Sequence, residues 1–128
     1  MILDTNGLSA FFDGEEAVVS LVAGAEAVYL PVIVIGEYRF GLRGSRLRKE
    51  REPKLLAFVR TCIVLAVLES TTLPYATIRH ALKKAGTPIP ENDIWIAALA
   101  MEHGLPILSD DHHFDAVPQV LRITWNDS

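Results

Sequence analysis

Short apolar runs alternate with longer amphipathic stretches along the whole chain. The apolar runs predict short strands at residues 1–3, 27–30, 63–67, 107–108 and 120–125. The stretches between them place apolar residues three or four positions apart, which predicts helices with one buried face. Strands that alternate with helices are typical of an α/β fold. We therefore expect a central, mostly parallel sheet of four to five short strands with helices on both faces.

The pattern of residues 31–42 is compatible with either a strand or a helix. The run from Val32 to Ile35 has strand propensity. Pro31, however, suits the start of a helix, and the apolar residues that follow recur at helical spacing. We favour a helix. Glu37 then lies among apolar neighbours, where a carboxylate needs a partner, either an arginine or a bound cation.

Carboxylates follow the ends of two predicted strands and begin one predicted helix. Asp4 follows the first strand, Asp110 and Asp111 follow the run at 107–108, and Asp93 lies in the first turn of the helix before that run. Open parallel sheets bind ligands outside the carboxyl ends of their strands. Buried acids are costly unless a cation accompanies them. Asp4 has a second interpretation as the N-cap of the next helix, and one residue could serve both purposes.

Composition restricts the class of protein. A chain of 128 residues with 50% hydrophobic residues predicts a single folded domain spanning 1–128. The sequence shows no run of about 18 apolar residues and no basic leader, so we expect no membrane association. The single cysteine, Cys62, excludes an internal disulfide framework and suits a reducing cytoplasm. A net charge of −4 argues against a protein that coats nucleic acid indiscriminately.

Positive charge is concentrated in one segment. Residues 39–54 hold seven of the 12 basic residues. Such a run is often only the solvated face of a helical hairpin. It also fits a phosphate-binding surface on an otherwise acidic protein. We define the candidate RNA-binding residues as the basic surface: Arg39, Arg43, Arg46 and Arg48.

Four segments, MILDTN, VIGEYRFGL, PENDIWIAALA and LSDDHHF, together resemble a PIN-domain ribonuclease. More narrowly, the chain resembles the VapC toxins of toxin–antitoxin pairs. This resemblance implies a compact PIN-like α/β fold whose acids hold Mg²⁺ or Mn²⁺ for cleavage of RNA. It implies catalytic roles for Asp4, Glu37, Asp93 and Asp111, of which Asp4, Asp93 and Asp111 bind the metal. It also implies supporting polar roles for Thr5, Asn6, Asn92 and Ser109. Gly7 departs from the branched apolar residue of many relatives and is expected to loosen the first helix.

The residue types agree with this chemistry. Four carboxylates without a nearby cysteine suit a hard divalent cation, which lowers the pKa of bound water so that no histidine base is needed. A strand alternates its faces, so Asp111 is expected to point with Ser109 into the site and Asp110 toward the rim. A zinc site at His112 and His113 is disfavoured, because neighbouring residues in a tight loop seldom converge on one ion.

Partners and alternatives follow from the same residues. The resemblance implies an RNA substrate, a homodimer and an antitoxin whose tail crosses the acidic groove. Candidates for the surface under that tail are Phe11, Phe12, Val34 and Tyr38, which otherwise belong to the core.

Two other protein classes also place acids near a first strand. The pattern of a haloacid-dehalogenase-like phosphatase has a second acid two positions after the first, where this chain has Asn6. A non-catalytic receiver domain carries its acid pair near the first strand rather than after a late one.

Overall fold

Within residues 1–126, five short strands form one parallel sheet in the order β3-β2-β1-β4-β5. The computed structural model describes residues 1–126, so the last two residues of the predicted 1–128 domain lie outside the described residues. The prediction of a mostly parallel sheet of four to five strands is confirmed. The strands are β1 (Ile2–Leu3), β2 (Tyr29–Pro31), β3 (Ile63–Leu65), β4 (Ile107–Leu108) and β5 (Arg122–Ile123).

Among the described residues, six helices connect these strands. Two 3₁₀ turns accompany them, at Glu69–Thr71 before the fifth helix and at His112–Ala116 after β4. Within residues 1–126, no helix is both long enough and apolar enough to cross a membrane. The helices are α1 (Thr5–Phe12), α2 (Glu16–Gly24), α3 (Val32–Arg43), α4 (Arg48–Val59), α5 (Thr72–Ala85) and α6 (Glu91–His103).

The strand order places a topological switch point beside β1. From β1 the chain proceeds outward through β2 to β3, and it then returns to place β4 and β5 on the other side of β1. Right-handed crossovers in these two directions put helices on opposite faces of the sheet. The carboxyl ends of β1 and β4 therefore diverge into a crevice, which is where such sheets bind ligands.

The core is centred on β1, β4 and α6. Both residues of β1 and both residues of β4 are fully buried, as two covered faces of a parallel sheet require. Helix α6 is buried from Ile94 to Ala100 except at Trp95, and it ends at Gly104 in the left-handed conformation. Phe114, in the 3₁₀ turn after β4, is also fully buried. The two strands and the helix that lead to the acids are thus held rigidly.

Several strand boundaries differ from the sequence prediction, most of all those of β3 and β5. The strand predicted as buried at 63–67 is shorter and lies at the sheet edge, so Ile63 and Val64 are 47% and 44% exposed. Helix α4 begins at Arg48 and continues through Pro53, which agrees with the helical hairpin considered for the basic segment. The final strand contains two residues instead of six. The ambiguous segment 31–42 is a helix, as favoured.

Gly7 allows α1 to lie directly against β4. A Cβ atom added to Gly7 would come within 2.7 Å of the carbonyl oxygen of Leu108. That oxygen belongs to the sheet backbone and has little room to move. The absence of a side chain at residue 7 therefore sets the distance between the first helix and the fourth strand, a role the sequence pattern did not indicate.

Candidate active site

Asp4 is the most buried acid of the site, with 3% of its surface exposed. It follows β1 and caps α1, because its Oδ1 accepts a hydrogen bond of 2.7 Å from the backbone N–H of Gly7. Its Oδ2 accepts from the hydroxyl of Ser109, which follows β4. Asp4 therefore joins the two strand ends at the switch point.

Burial controls the charge of Asp4. Loss of solvation raises the pKa of its carboxyl group to about 6, against the lowering effect of the hydrogen bonds from Ser109 and Gly7. The negative charges of Asp93 and Asp111 raise it further. Any cation that enters the crevice would therefore stabilise the ionised form of the Asp4 carboxylate.

Glu37 reaches the crevice from α3. Its Oε1 accepts a hydrogen bond of 2.7 Å from the Thr5 hydroxyl, in the first turn of α1. Glu37 is half-buried on α3, whereas Val34 and Tyr38 are buried in the core. The arginine partner considered for Glu37 is thus replaced by a threonine, and the carboxylate lines the same cavity as Asp4.

Asp93 and Asp111 meet across the crevice through a histidine. Asp93 lies in the first turn of α6, and its Oδ2 is 3.1 Å from Nδ1 of His113. The same Nδ1 is 3.1 Å from Oδ1 of Asp111. Burial and, more weakly, the charge of Asp111 raise the pKa of Asp93, while the hydrogen bond with His113 lowers it. The two acids are therefore close enough to share one cation.

The loop after β4 is ordered by Ser109 and Asn6. Ser109 is fully buried, and its Oγ accepts a hydrogen bond of 2.9 Å from the backbone N–H of Asp111. Oδ1 of Asn6 accepts at 3.1 Å from the backbone N–H of Asp110. These two contacts fix the direction in which each late aspartate points.

Asp110 and Asp111 point to different places. Asp111 lines the crevice with the other acids. The carboxylate of Asp110 instead accepts hydrogen bonds from Thr124 at 3.1 Å and from Asn126 at 2.7 Å, on the β5 side. This orientation agrees with the direction expected from strand alternation, whereas the functional role of either residue stays a prediction.

Together these groups line a cavity of about 420 Å³, which we call the acidic cleft. The donor set fits a divalent cation, since it offers carboxylate oxygens at short distances, and His113 is the sole basic residue among the described lining residues. Asp93, Asp111 and His113 each offer one ligand atom, and these three atoms lie within 4.8 Å of one another. The lining residues are Asp4, Thr5, Asn6, Glu37, Pro90, Glu91, Asn92, Asp93, Asp111 and His113.

The basic surface lies beside the cleft rather than in it. Arg39, Arg43 and Arg48 line a separate cavity of about 350 Å³ with Phe40 and Glu52, while Arg46 lies outside both cavities. Phe40 is 82% exposed there. Since it follows Glu37 by three residues on α3, the two side chains are neighbours on the helix surface.

The apolar candidates for a partner surface divide into two groups. Val34 is fully buried and Tyr38 is 6% exposed, so these two residues belong to the core, which was the second alternative considered for them. Phe11 and Phe12 are half-buried and stack with Phe58 and Tyr38, at centroid distances of 4.5 and 5.4 Å respectively. These two rings remain partly accessible.

Besides Pro90, two cleft residues were absent from the predicted site. His113 was set aside because loop neighbours seldom converge, yet the 3₁₀ turn folds its ring back over Asp111. His112 does point away, toward Asp115 and Arg122. Glu91 also lines the cleft, held by Arg79 at 3.1 Å and by the hydroxyl of Tyr75. The spacing of two residues between Asp111 and His113 gave no signal that the 3₁₀ turn would bring the ring back.

Comparisons with known proteins place the chain in a family. The PIN domain model matches residues 1–120. Ribonuclease VapC4 of Mycobacterium tuberculosis is 30% identical over 95 residues, or 73% of each protein. VapC ribonuclease Y4jK of Sinorhizobium fredii is 30% identical over 121 residues, which cover 87% of this chain and 86% of the relative. The solved structure of VapBC2 from Rickettsia felis, bound to a promoter DNA fragment, has a TM-score of 0.87 over 98% of both chains at 21% identity.

The chain belongs to the PIN-domain family. Within that family it belongs with the VapC proteins, because two relatives named VapC ribonucleases are each 30% identical to it over at least 73% of this chain. The resemblance stated from the sequence is confirmed. The phosphatase and receiver alternatives find no support.

Proposed function

We propose that this protein is a Mg²⁺- or Mn²⁺-dependent endoribonuclease, the toxin of a toxin–antitoxin pair, formed by one PIN-like nuclease domain. The observation that carries the proposal is the acidic cleft. The four acids predicted from the sequence line one cavity at the switch point of the sheet: Asp4 after β1, Glu37 on α3, Asp93 on α6 and Asp111 in the loop after β4. RNA phosphates would be repelled by this cleft unless a cation were bound between them.

Each acid has a distinct task in this proposal. Asp4, Asp93 and Asp111 hold the divalent ion. Ser109 positions Asp4 against the β4 loop, because its hydroxyl donates to the Asp4 carboxylate and accepts from the backbone N–H of Asp111. A divalent ion in this place lowers the pKa of bound water and neutralises charge that builds on a phosphate. Glu37, oriented by Thr5, holds a water on the cleft side of α3.

Other polar residues shape the cleft around these acids. Asn6 fixes the loop at Asp110, and Asn92 lies on the cleft wall in the first turn of α6. An RNA strand that reaches the cleft along α3 would pass the basic surface first. There Phe40 offers an exposed ring for base stacking, and Arg39, Arg43 and Arg48 offer charge for phosphates. Arg46 would add charge at the edge of that surface.

The expected partners are an antitoxin and a second copy of the chain. Relatives with this fold have been solved as toxin–antitoxin complexes, which supports an antitoxin for this protein as well. We propose action in the cytoplasm, where RNA is accessible. Light scattering on eluting gel-filtration peaks should give the dimer mass at micromolar concentration. A strict monomer would contradict the dimer, and full ribonuclease activity in the presence of the co-encoded protein would contradict inhibition.

Replacement of Asp93 by asparagine tests the function. Asp93→Asn keeps the size of the side chain and removes one of the charges that face Asp111. We expect cleavage of purified bacterial RNA in Mg²⁺ to fall by at least about 100-fold, because a metal ligand has lost its charge. The metal-free variant should be at least as stable as the wild type, since a buried like-charge contact is removed.

Asp110→Asn is the matched control, because it makes the same chemical change on a carboxylate directed to Thr124 and Asn126. It should retain most of the cleavage activity. An unchanged cleavage rate in Asp93→Asn would contradict the proposed function, provided that both proteins are folded by circular dichroism.

A further inference from the structure

The turn after β4 places a nitrogen atom between two acids of the cleft. Asp111 caps the 3₁₀ helix 112–116 by accepting a 2.9 Å hydrogen bond from the backbone N–H of His113. Phe114, fully buried, anchors the turn from below. These contacts bring the imidazole of His113 back over Asp111, although only one residue separates them in the sequence.

Distances around this nitrogen fit one metal ion. Nδ1 of His113 lies 3.1 Å from Oδ2 of Asp93 and 3.1 Å from Oδ1 of Asp111. Ligand atoms at about 2.1 Å from an octahedral ion are separated by about 3.0 Å when they occupy adjacent positions. The three atoms therefore stand where adjacent ligands of a single ion would stand, with small adjustments.

Partial exposure favours ion entry at this point. The side chains of Asp93, Asp111 and His113 are 17%, 32% and 48% exposed. Asp4, by contrast, is almost fully buried, and each of its oxygens already accepts one hydrogen bond. An ion that arrives from solvent thus meets the Asp93–Asp111–His113 group first.

We propose that His113 is a direct nitrogen ligand of the ion held by Asp93 and Asp111, and that it biases the site toward Mn²⁺ and Co²⁺ over Mg²⁺. This proposal rests on the proposed function, because it concerns the metal of the same cleft. Mg²⁺ prefers oxygen ligands, whereas an imidazole nitrogen adds affinity that grows along the first-row series from Mn²⁺ to Co²⁺ and beyond. The histidine thus sets metal preference rather than the reaction type.

A histidine that only orients the two carboxylates would act differently. Hydrogen bonds behind a ligand change the affinity for every ion by a similar factor. A direct nitrogen ligand changes it unequally, with the least effect on Mg²⁺ and the greatest on Co²⁺. The pattern of losses across ions, rather than any single loss, separates the two roles.

The experiment titrates the metal-free full chain with Mg²⁺, Mn²⁺ and Co²⁺ separately by calorimetry. It compares the wild type with His113→Ala and with His112→Ala, the adjacent histidine that contacts Asp115 and Arg122 instead. For His113→Ala we expect the Kd for Co²⁺ to rise by at least about tenfold, the Kd for Mn²⁺ to rise less, and the Kd for Mg²⁺ to change by less than about threefold. His112→Ala should bind all three ions as the wild type does.

The Co²⁺ absorption spectrum provides a second readout. The visible bands of the Co²⁺ protein should shift in His113→Ala and stay unchanged in His112→Ala. Equal losses for the three ions, or an unchanged spectrum in His113→Ala, would overturn the role of His113 and leave the proposed function intact. Failure of the wild type to bind any of the three ions would overturn the metal-dependent function itself. If His113→Ala does not fold, His113→Gln, with an oxygen donor at similar reach, must show the same order of losses.

Discussion

The metal-free protein should lose stability as the pH rises from 4 to 7. Asp4 is the cause, because burial raises the pKa of its carboxyl group from 3.8 to about 6 in the folded protein. In the unfolded chain the group is solvated, and its pKa returns to the ordinary value. Between those two values the folded protein binds a proton that the unfolded chain has released. The free energy of unfolding therefore falls as the pH rises through this window and is level, as far as Asp4 is concerned, below and above it.

The size of the effect follows from the shift. A difference of about two pKa units corresponds to about 3 kcal/mol, at about 1.4 kcal/mol per unit. For a domain of this length, that loss lowers the Tm by roughly 10 °C. Asp93 acts in the same direction, because burial also raises its pKa. Asp115, whose pKa is lowered to about 2 by Arg122 and His112, has its effect below pH 4, outside the window.

The assay is urea unfolding in a chelating buffer at several pH values between 4 and 7.5. The wild type should show a falling free energy of unfolding across the window. Asp4→Asn should show a much shallower fall, because the asparagine does not titrate, while its Oδ1 can still accept from Gly7. Asp110→Asn should keep the wild-type slope, since that carboxylate does not contact Asp4.

The test compares how steeply the free energy of unfolding changes with pH in each variant, rather than the absolute stabilities. A wild-type stability that is flat or rising between pH 4.5 and 6.5 would refute the reasoning. So would an Asp4→Asn slope equal to that of the wild type. Saturating Mg²⁺ should offset the loss near pH 7, because an ion that binds only the folded state stabilises it.

Two further predictions concern neighbouring residues. Asp111→Asn should lose more Mn²⁺ affinity, measured by calorimetry, and more RNA cleavage, measured by gel assay, than Asp110→Asn. The reason is that, of these two residues, only Asp111 lines the cleft. An equal or reversed loss would show the assignment to be wrong. Gly7→Ala should lower the free energy of unfolding by about 2 kcal/mol, since its Cβ would meet the Leu108 carbonyl oxygen at 2.7 Å. Thermal unfolding measures this loss, and an unchanged Tm would mean that α1 shifts without cost.

Much of the fold could be predicted because its signals are local. The strands at Ile2–Leu3 and Ile107–Leu108 are apolar at both positions, so they had to be covered on both faces. Gly86 and Gly104 end their helices in the left-handed conformation, as their positions after apolar periodic segments indicated. From such elements the place of the acids at strand ends followed directly.

The remaining features depend on tertiary contacts. Strand order decides that β3 is at the edge, and no local pattern states this, so its exposure was missed. Val34 and Tyr38 have the same apolar character whether they face the core or a partner. The position of His113 depends on the 3₁₀ turn that Asp111 caps, and a two-residue separation gives no warning of it. In each of these cases the sequence predicted the element to which a residue belongs but not the tertiary contacts of its side chain.

The hydrogen bond from Ser109 to Asp4 joins residues 105 positions apart. During synthesis, one edge of β1 therefore stays unpaired until β4 has been translated. The pairing of β1 with β4 forms only after most of the polypeptide has been made. A nascent or prematurely terminated chain that lacks residues 107–113 has Asp4 and Glu37 but neither Ser109, Asp111 nor His113. Under the proposed function, such a fragment would lack part of the metal site and would not cleave RNA. Ribonuclease activity would then become possible only when translation of the domain is almost finished.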